Sequence, residues 1–330
     1  MQFISSAKDK ISGLVKDALL VSWHLFKVMI PVLIVVKILK ELGLIRYLAV
    51  PLEPVMEMVG LPAEMGLVWA TALINNIYSG IIVLLTLVDD APLTTAQATV
   101  LGTMILVAHS LPVELKIARK SGPRMIFQGA VRVVGALLIG WGLHLAYSTL
   151  GLLQGPVNIL LTPDATAQAA RESIGGWALG EIRNLVSIFG IIIALLVIMR
   201  ALERFRITDL MNRVLRPVLK LIGIGPKAST IAIIGVTLGI SYGGGLIIKE
   251  ARSGRIGKQD VFYSLTLMGL AHSLFEDTMI MVMIGGHLSG LLWTRVVVAL
   301  CAVALLVRLT GRLSESFCDR FLWGSRPGPS

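Results

Sequence analysis

The sequence predicts an all-α polytopic membrane protein with two inverted-topology repeats of about five membrane segments each, including broken or re-entrant helices. Three observations predict this fold class. The chain of 330 residues is 55% hydrophobic and only 15% charged, whereas soluble domains carry about a quarter charged residues. Several motifs recur at a constant offset of 163 residues. The charges of corresponding loops are exchanged between the two copies.

Long apolar runs supply the candidate membrane segments. They lie at 17–36, 66–88, 97–113, 127–147, 185–199, 228–248, 262–284 and 291–307. Several approach the roughly 20 residues that a helix needs to cross a bilayer. The first run follows Lys8, Lys10 and Lys16 and lacks a small-residue cleavage site, so it predicts a membrane helix and not a signal peptide. We expect the chain in the cell inner (cytoplasmic) membrane with both termini cytoplasmic.

The net charge of +10 comes from Lys and Arg in loops and at helix ends. Such residues anchor and orient membrane helices, so we expect lipid and a small polar solute or ion as partners, and no nucleic acid. A homo-oligomer is compatible with the sequence. Cys301 and Cys318 are the two cysteines, and neither a disulfide framework nor a metal-binding spacing follows from them.

The recurring motifs divide the chain into two halves. They pair Pro54 with Pro217, Gly60 with Gly223, Gly80 with Gly243, AHSL at 108–111 with AHSL at 271–274, and Arg132 with Arg295. A single register over this length indicates duplication. We therefore predict a first repeat at 1–150, a polar connecting loop at 151–176 and a second repeat at 177–330.

Loop charges predict that the second repeat is inverted. Lys116, Arg119, Lys120 and Arg124 follow the first AHSL motif, whereas 279–290 contains no Lys or Arg. Because Lys and Arg mark the cytoplasmic side, equivalent loops lie on opposite faces. Inversion requires an odd number of crossings per repeat. Four helices are clear in each, so the fifth crossing comes from the Pro-containing segment or from a hairpin in the interrupted helix, giving ten crossings.

Two interrupted apolar segments occupy corresponding positions, ALINNIYSGII at 72–82 and LGISYGGGLII at 238–248. Such pairs indicate the binding site of transporters with inverted repeats. The substrate-binding candidates here are Asn75, Asn76, Tyr78, Ser79, Gly80, Ser241, Tyr242, Gly243 and Gly244. The three consecutive glycines at 243–245 predict a weakened helix. The alternative is that the small residues serve close helix packing.

The AHSL motifs place ionisable groups inside apolar segments, where such groups are functional candidates. We assign His109, Ser110, His272 and Ser273 to substrate binding, Glu114, Glu276 and Asp277 to ion or proton coupling, and His109, His272 and Glu276 to a metal site. Pro112 predicts a helix break after Ser110. His272 and Glu276 are four residues apart, which predicts a shared helix face.

Other interpretations of these residues stay open. Arg132 and Arg295 predict structural ion pairs with Glu114 and Asp277, and the histidines can bond neighbouring carbonyls. No cofactor is expected beyond a bound Na⁺ or divalent cation. Gly239 to Gly243 fits G-x-S-x-G, but that motif requires a strand–turn–helix context, so we expect no catalytic residue and no enzyme.

IYSGII, SYGGGLII and the stretches AHSLPVE and AHSLFED resemble the nucleoside recognition (GATE) domain. It is similar to regions of concentrative nucleoside transporters, bacterial ferrous-iron transporters and spore maturation proteins. The resemblance implies two GATE-like modules with contacts to substrate or coupling ion in the broken helices, at 75–80 and 241–245. The chain lacks the P-loop of the iron transporters, and neither broken segment contains cysteine.

We therefore expect a secondary transporter that moves a nucleoside-like compound or a cation by alternating access. A non-transporting scaffold of an envelope complex is the main alternative, and an intramembrane hydrolase using Ser241 is a further one.

Overall fold

A computed structural model describes residues 2–160, 174–204 and 207–324. Most of the polar segment proposed to connect the repeats, residues 161–173, lies outside the described residues. Within the described ranges the regular secondary structure is helical, apart from an isolated antiparallel bridge between Thr94 and Pro156. Five of these helices are long and apolar enough to cross a membrane. The all-α polytopic fold class is therefore confirmed.

The first repeat contains a long helix, a short amphipathic segment, two broken helices and a closing helix. Its elements are α1 (Gln2–Glu41), α2 (Ile45–Ala49) with a 3-10 turn (Val50–Leu52), α3 (Glu53–Met58), α4 (Met65–Ile74), α5 (Ile77–Leu87), α6 (Thr95–Val107), α7 (Leu111–Ser121) and α8 (Met125–Thr149).

The second repeat has the same order of elements. They are α9 (Ile174–Arg204), α10 (Ile207–Ile222), α11 (Pro226–Leu238), α12 (Ile240–Arg252), α13 (Lys258–Leu270), α14 (Glu276–Met283), a π-helical turn (Ser289–Thr294) and α15 (Arg295–Thr310), followed by the short α16 (Glu315–Phe321).

The interrupted helix of each repeat is a hairpin. Helices α4 and α5 contain 10 and 11 residues and pack against each other, and Gly80 lies against Val68 and Ala72. Arms of this length extend about 15 Å, half the hydrocarbon thickness. Helices α11 and α12 pack in the same way. Both interrupted segments are therefore re-entrant and not crossings.

Three full crossings per repeat remain, which differs from the ten crossings expected for the whole chain. Candidate spans are α1, α6–α7 and α8 in the first repeat, and α9 and the helix from Ser289 to Thr310 in the second. We assign α13–α14 as the sixth crossing because it corresponds to α6–α7. Three is still an odd number, so the second repeat starts on the opposite face from the first, as inversion requires. The difference arises because splitting a helix into a hairpin returns the chain to the face it left.

This arrangement also suits the charges. Helix α10, with Arg213, Arg216 and Lys220, falls on the same side as the basic residues after α7 and after α12. Lys40 falls on the opposite side, where its Nζ lies 2.6 Å from the Asp90 carboxylate and donates to the carbonyl of Thr86 at 3.0 Å. The positive-inside pattern is thus more uniform with three crossings than with five.

The two repeats contact each other reciprocally. Helix α6 packs against the π-helical turn before α15, and α13 packs against α8, its counterpart contact. The two long helices α1 and α9 also pack together. Helix α6 is largely buried in protein, whereas α8, α9 and α15 expose large apolar side chains such as Leu138, Val186 and Leu305. The broken helices therefore form the centre, and the long helices face lipid.

Candidate functional site

A cavity of about 560 Å³ lies between the two repeats. The breaks of all four broken helices meet at it, together with apolar residues of α1 and α9. Its polar lining consists of Asn75, Asn76, Tyr78, His109, Ser110, Glu114, His272, Ser273, Glu276 and Asp277. Polar groups inside a membrane protein are tolerated where they line such a cavity. This is the candidate site.

The tip of the first hairpin uses its polar side chains to end one helix and begin the next. Asn76 has an extended backbone and caps α5, since its Oδ1 accepts from the backbone N–H of Ser79 at 2.9 Å. The Asn75 amide donates to Ser79 Oγ at 2.9 Å. The predicted break at this position is present. Ser79 is fully buried within the tip, so Asn75 and Asn76 present the polar edge to the cavity.

The tip of the second hairpin lies at Gly239, not at the three glycines at 243–245. Gly239 has φ +96° and ψ 162°, a conformation open essentially only to glycine. The three glycines lie inside α12, and Gly244 packs against the Ile117 side chain of the first repeat. The helix that these glycines were expected to weaken continues through them, and Gly244 serves close packing as a small residue. The side chains of Ser241 and Tyr242 and the surroundings of Gly243 lie outside the described part of the chain.

Both AHSL motifs break their helices at the serine. Ser110 and Ser273 each have φ 49°, the left-handed region that terminates a helix. Pro112 lies in the first turn of α7, so the break predicted from Pro112 is present. The second motif breaks without a proline. His272 therefore lies in the break while Glu276 starts α14, and the predicted shared helix face of these two residues is absent.

The two histidines meet at the interface of the repeats. Their Nε2 atoms are 3.2 Å apart, and their ring centroids are 4.8 Å apart. His109 Nδ1 bonds to the carbonyl of Ile105 at 2.9 Å, and His272 Nδ1 bonds to the carbonyl of Met268 at 2.8 Å. Each histidine therefore makes both predicted contacts. Its Nδ1 bonds to a neighbouring carbonyl, and its Nε2 faces the centre that the two repeats share.

Glu114 completes this centre and is held by Arg132. Its Oε1 lies 3.5 Å from His109 Nε2 and 3.4 Å from His272 Nε2. Its Oε2 accepts from Arg132, which also donates to the carbonyls of Val107 at 2.9 Å and His109 at 3.0 Å. The predicted Glu114–Arg132 ion pair is present. It directs one carboxylate oxygen at arginine and the other at the histidines.

The corresponding pair in the second repeat is not formed. Arg295 is fully buried and donates to the carbonyl of His272 at 3.2 Å and to Thr278 Oγ1 at 3.4 Å. Its Nε and second terminal nitrogen lack a hydrogen-bond partner. The nearest ion-pair contact of Asp277 is His109, with 3.9 Å from Oδ2 to Nε2. The predicted structural pair of Asp277 with Arg295 is therefore wrong for the described side chains.

The structure brings together most of the residues that the sequence singled out. Ser79, Gly80 and Gly244 serve packing and capping instead of lining the cavity. The metal-competent group is His109, His272 and Glu114, so Glu276 is replaced by Glu114 in that set. Sequence reasoning missed Gly239 and seven apolar residues, Leu25, Val28, Ile77, Val113, Ile117, Ile192 and Leu196. These apolar residues gave no signal, because they resemble the rest of their helices.

The G-x-S-x-G stretch lies in a helix–break–helix context. Gly239 separates α11 from α12, and no strand flanks it in the ranges that the structure describes. The strand–turn–helix setting of a nucleophile elbow is therefore missing from this part of the chain.

Comparison with known proteins bears on the second repeat. Residues 185–310 match the family model Gate, described as nucleoside recognition. The chain is also 27% identical, over 284 residues, to the "Uncharacterized membrane protein YvoD" of Bacillus subtilis (strain 168), a match that covers 84% of this chain and 88% of the relative. No solved structure matches. The region that matches this family model contributes His272, Ser273, Glu276 and Asp277 to the cavity.

Proposed function

We propose that this protein is a secondary transporter of the cell inner membrane that carries a small polar or ionic solute by alternating access. The observation that carries the proposal is the polar cavity at the junction of the two repeats, where four helix breaks meet. Inverted repeats that enclose such a site can rock around it, exposing it to one face and then to the other. A membrane scaffold has no need for a buried polar cavity at this place.

The lining supports a solute that is cationic or rich in hydrogen-bond donors. Glu114, Glu276 and Asp277 contribute three carboxylates to the lining, and Arg132, buried behind it, pairs with Glu114. Asn75 and Asn76 add amide groups at the hairpin tip. The volume of about 560 Å³ lies within the range of small-molecule pockets. A nucleoside-like compound or a cation fits these properties.

The proposed orientation places both termini in the cytoplasm. Six crossings return the chain to the face where it began, and the basic residues after α7, after α12 and around α16 then share that face. On this arrangement the first hairpin enters from outside and the second from the cytoplasm. Each hairpin tip is thus in position to act as one gate of the cavity.

Access to the cavity from both faces tests the proposal without knowledge of the solute. Val113 lines the cavity and is 59% exposed. In a Cys301→Ser/Cys318→Ser background, Val113→Cys in oriented vesicles is treated with a membrane-impermeant maleimide from one face or the other. We expect labelling from both faces.

The matched control is Leu138→Cys, on the lipid-facing side of α8 and 60% exposed. We expect no labelling of this variant from either face, because lipid covers it. Labelling of Val113→Cys from one face only, under all solutes added, would favour the static scaffold over the transporter.

A further inference from the structure

The three atoms that converge between the repeats are all hydrogen-bond acceptors. A carbonyl oxygen only accepts hydrogen bonds, so the contacts to Ile105 and Met268 require a proton on Nδ1 of both histidines. A neutral imidazole then carries a lone pair on Nε2. The two Nε2 atoms face each other at 3.2 Å, with the Glu114 carboxylate at 3.4 and 3.5 Å. Three lone pairs at these distances repel unless a positive charge lies among them.

The spacing of these atoms matches one face of a tetrahedral metal site. Zinc binds imidazole nitrogen and carboxylate oxygen at about 2.0–2.2 Å, so two ligands of a tetrahedral ion lie about 3.3–3.5 Å apart. The observed separations are 3.2, 3.4 and 3.5 Å. A triangle with these edges accommodates the ion without moving any of the three side chains by more than a few tenths of an ångström. A proton is held by one of the three atoms and can only be shared weakly with the other two, whereas a metal ion accepts a lone pair from each.

The surroundings have the supporting contacts that metal ligands use. Ligating histidines commonly donate their other ring nitrogen to a carbonyl, and ligating carboxylates are held by further hydrogen bonds. Both histidines here donate from Nδ1 to the carbonyl four residues earlier, and Arg132 holds the second oxygen of Glu114. All three ligands are at least nine-tenths buried, with exposures of 5%, 6% and 2% for His109, Glu114 and His272. The set is therefore oriented before any ion arrives.

We propose that His109, His272 and Glu114 bind one divalent transition-metal ion of the zinc class, with the fourth coordination position directed to the cavity. Two nitrogen ligands and one carboxylate with an open position form a set that zinc uses when it must also bind a water or substrate atom. All three residues line the cavity, and Asp277 lies close enough to supply or orient the fourth ligand. One ligand comes from the second repeat and two from the first, so the ion ties the repeats together.

Binding of the metal alone tests this inference. After treatment with a chelator, the purified protein is titrated with Zn²⁺ in a calorimeter, and we expect one ion per chain. His272→Gln and Glu114→Gln should each weaken binding by at least about 100-fold, since even loss of a group that only orients a ligand costs about 10–100-fold. His287→Gln, at an exposed histidine outside the cavity, is the matched control and should bind as the unmodified protein does.

A second measurement does not depend on the folding of the variants. The unmodified protein loaded with Co²⁺ should show the intense visible absorption of a tetrahedral ion, and Zn²⁺ should displace it. Absence of Zn²⁺ binding, binding that survives His272→Gln and Glu114→Gln, or an octahedral Co²⁺ spectrum would each overturn the inference.

The inference names an ion for the cavity of the proposed transporter and so rests in part on that function, but the two can fail separately. If Val113→Cys is labelled from both faces and no Zn²⁺ binds, transport stands and the metal site is wrong. If one Zn²⁺ binds and Val113→Cys is labelled from one face only, the metal site stands and alternating access is wrong.

Discussion

Arg132 and Arg295 stand at equivalent positions of the two repeats, yet their surroundings differ. Arg132 pairs with Glu114 and reaches two carbonyls, whereas Arg295 leaves two nitrogens without a partner and does not contact Asp277 within ion-pair distance. A duplicated motif therefore does not guarantee a duplicated interaction. One repeat pairs its carboxylate with the arginine, while in the other Asp277 lies nearer to His109 than to Arg295 for an ion pair.

Two local differences account for this. Residues Ser289–Thr294, directly before Arg295, form a π-helical turn, whereas the equivalent part of α8 is regular α-helix. A π turn inserts extra backbone and rotates the residues after it, and such turns are frequent at functional sites. In addition, the stem of Arg132 passes over Gly269. The residue equivalent to Gly269 in the first repeat is Leu106, whose bulky side chain occupies the space that the stem of Arg295 would need for the same path.

The largest expected effect on stability comes from the charge of Glu114, which Arg132 neutralises in the first repeat. Arg132→Met leaves Glu114 buried without its partner, which should destabilise the protein by about 3–5 kcal/mol. Arg295→Met should cost no more than about 1 kcal/mol, because it also removes two buried donors that lack partners, each of which costs about 1–3 kcal/mol. Melting temperatures of the purified protein in detergent compare the two.

The double variant Glu114→Gln/Arg132→Met is the control for this comparison. Removing both charges should restore most of the stability lost in Arg132→Met, since no isolated charge remains. Equal losses in Arg132→Met and Arg295→Met would show that both repeats hold their carboxylates alike, against the asymmetry described here.

The sequence predicted much of the fold and of the site, and its errors have physical causes. The duplication, the apolar segments and the break at Pro112 follow from local chemistry, so they could be predicted. The meeting of His109 with His272 followed from inversion, which brings equivalent positions together around one axis. These are properties of the repeat as a unit.

The errors arose where packing decides between similar residues. Four glycines within seven residues, at 239 and 243–245, are equally able to break a helix, and the structure uses only Gly239 for that purpose. Ser273 ends its helix without a proline, so Glu276 does not share a helix face with His272. The carboxylate beside the two histidines is that of Glu114. The register of Arg295 depends on a π turn that has no local sequence signature.

The two hairpin tips give a second comparison with a smaller effect. Gly239→Ala places a side chain in a backbone conformation that costs about 1–3 kcal/mol. Asn76→Ala removes one capping hydrogen bond, worth about 1 kcal/mol. We therefore expect the glycine tip to be the more sensitive of the two, as measured by the melting temperature.

A control separates the conformational strain from an effect of side-chain volume. The control is Gly254→Ala. Gly254 also has a positive φ, of +70°, but it lies in an exposed loop with no atom within 4 Å of an added Cβ. It should lower the melting temperature less than Gly239→Ala, since left-handed φ with free space costs an alanine only about 1 kcal/mol. If Asn76→Ala proved the more damaging, the first tip would depend on its cap more than the second depends on its glycine.

The smallest effect concerns the glycines within the hairpin arms. A Cβ at Gly80 would lie 2.8 Å from Ala72 Cβ and 3.2 Å from the Val68 carbonyl, neither of which can rotate away. The atoms nearest to a Cβ at Gly244 belong to the Ile117 side chain, with Cγ2 at 2.8 Å, and a side chain at a helix contact can shift more easily than a backbone carbonyl. Overpacking costs about 1–3 kcal/mol, and replacing glycine by alanine in a helix returns about 1 kcal/mol. Gly80→Ala should therefore lose about 1 kcal/mol, while Gly244→Ala stays close to neutral.

Gly245→Ala completes this comparison, since an added Cβ there meets no atom within 4 Å. It should gain the helix-propensity term alone and raise the melting temperature slightly. The order expected for the three variants is Gly245→Ala above Gly244→Ala above Gly80→Ala. A loss in Gly244→Ala as large as that in Gly80→Ala would mean that Ile117 cannot shift. The second hairpin would then pack against α7 of the first repeat as closely as the two arms of the first hairpin pack against each other.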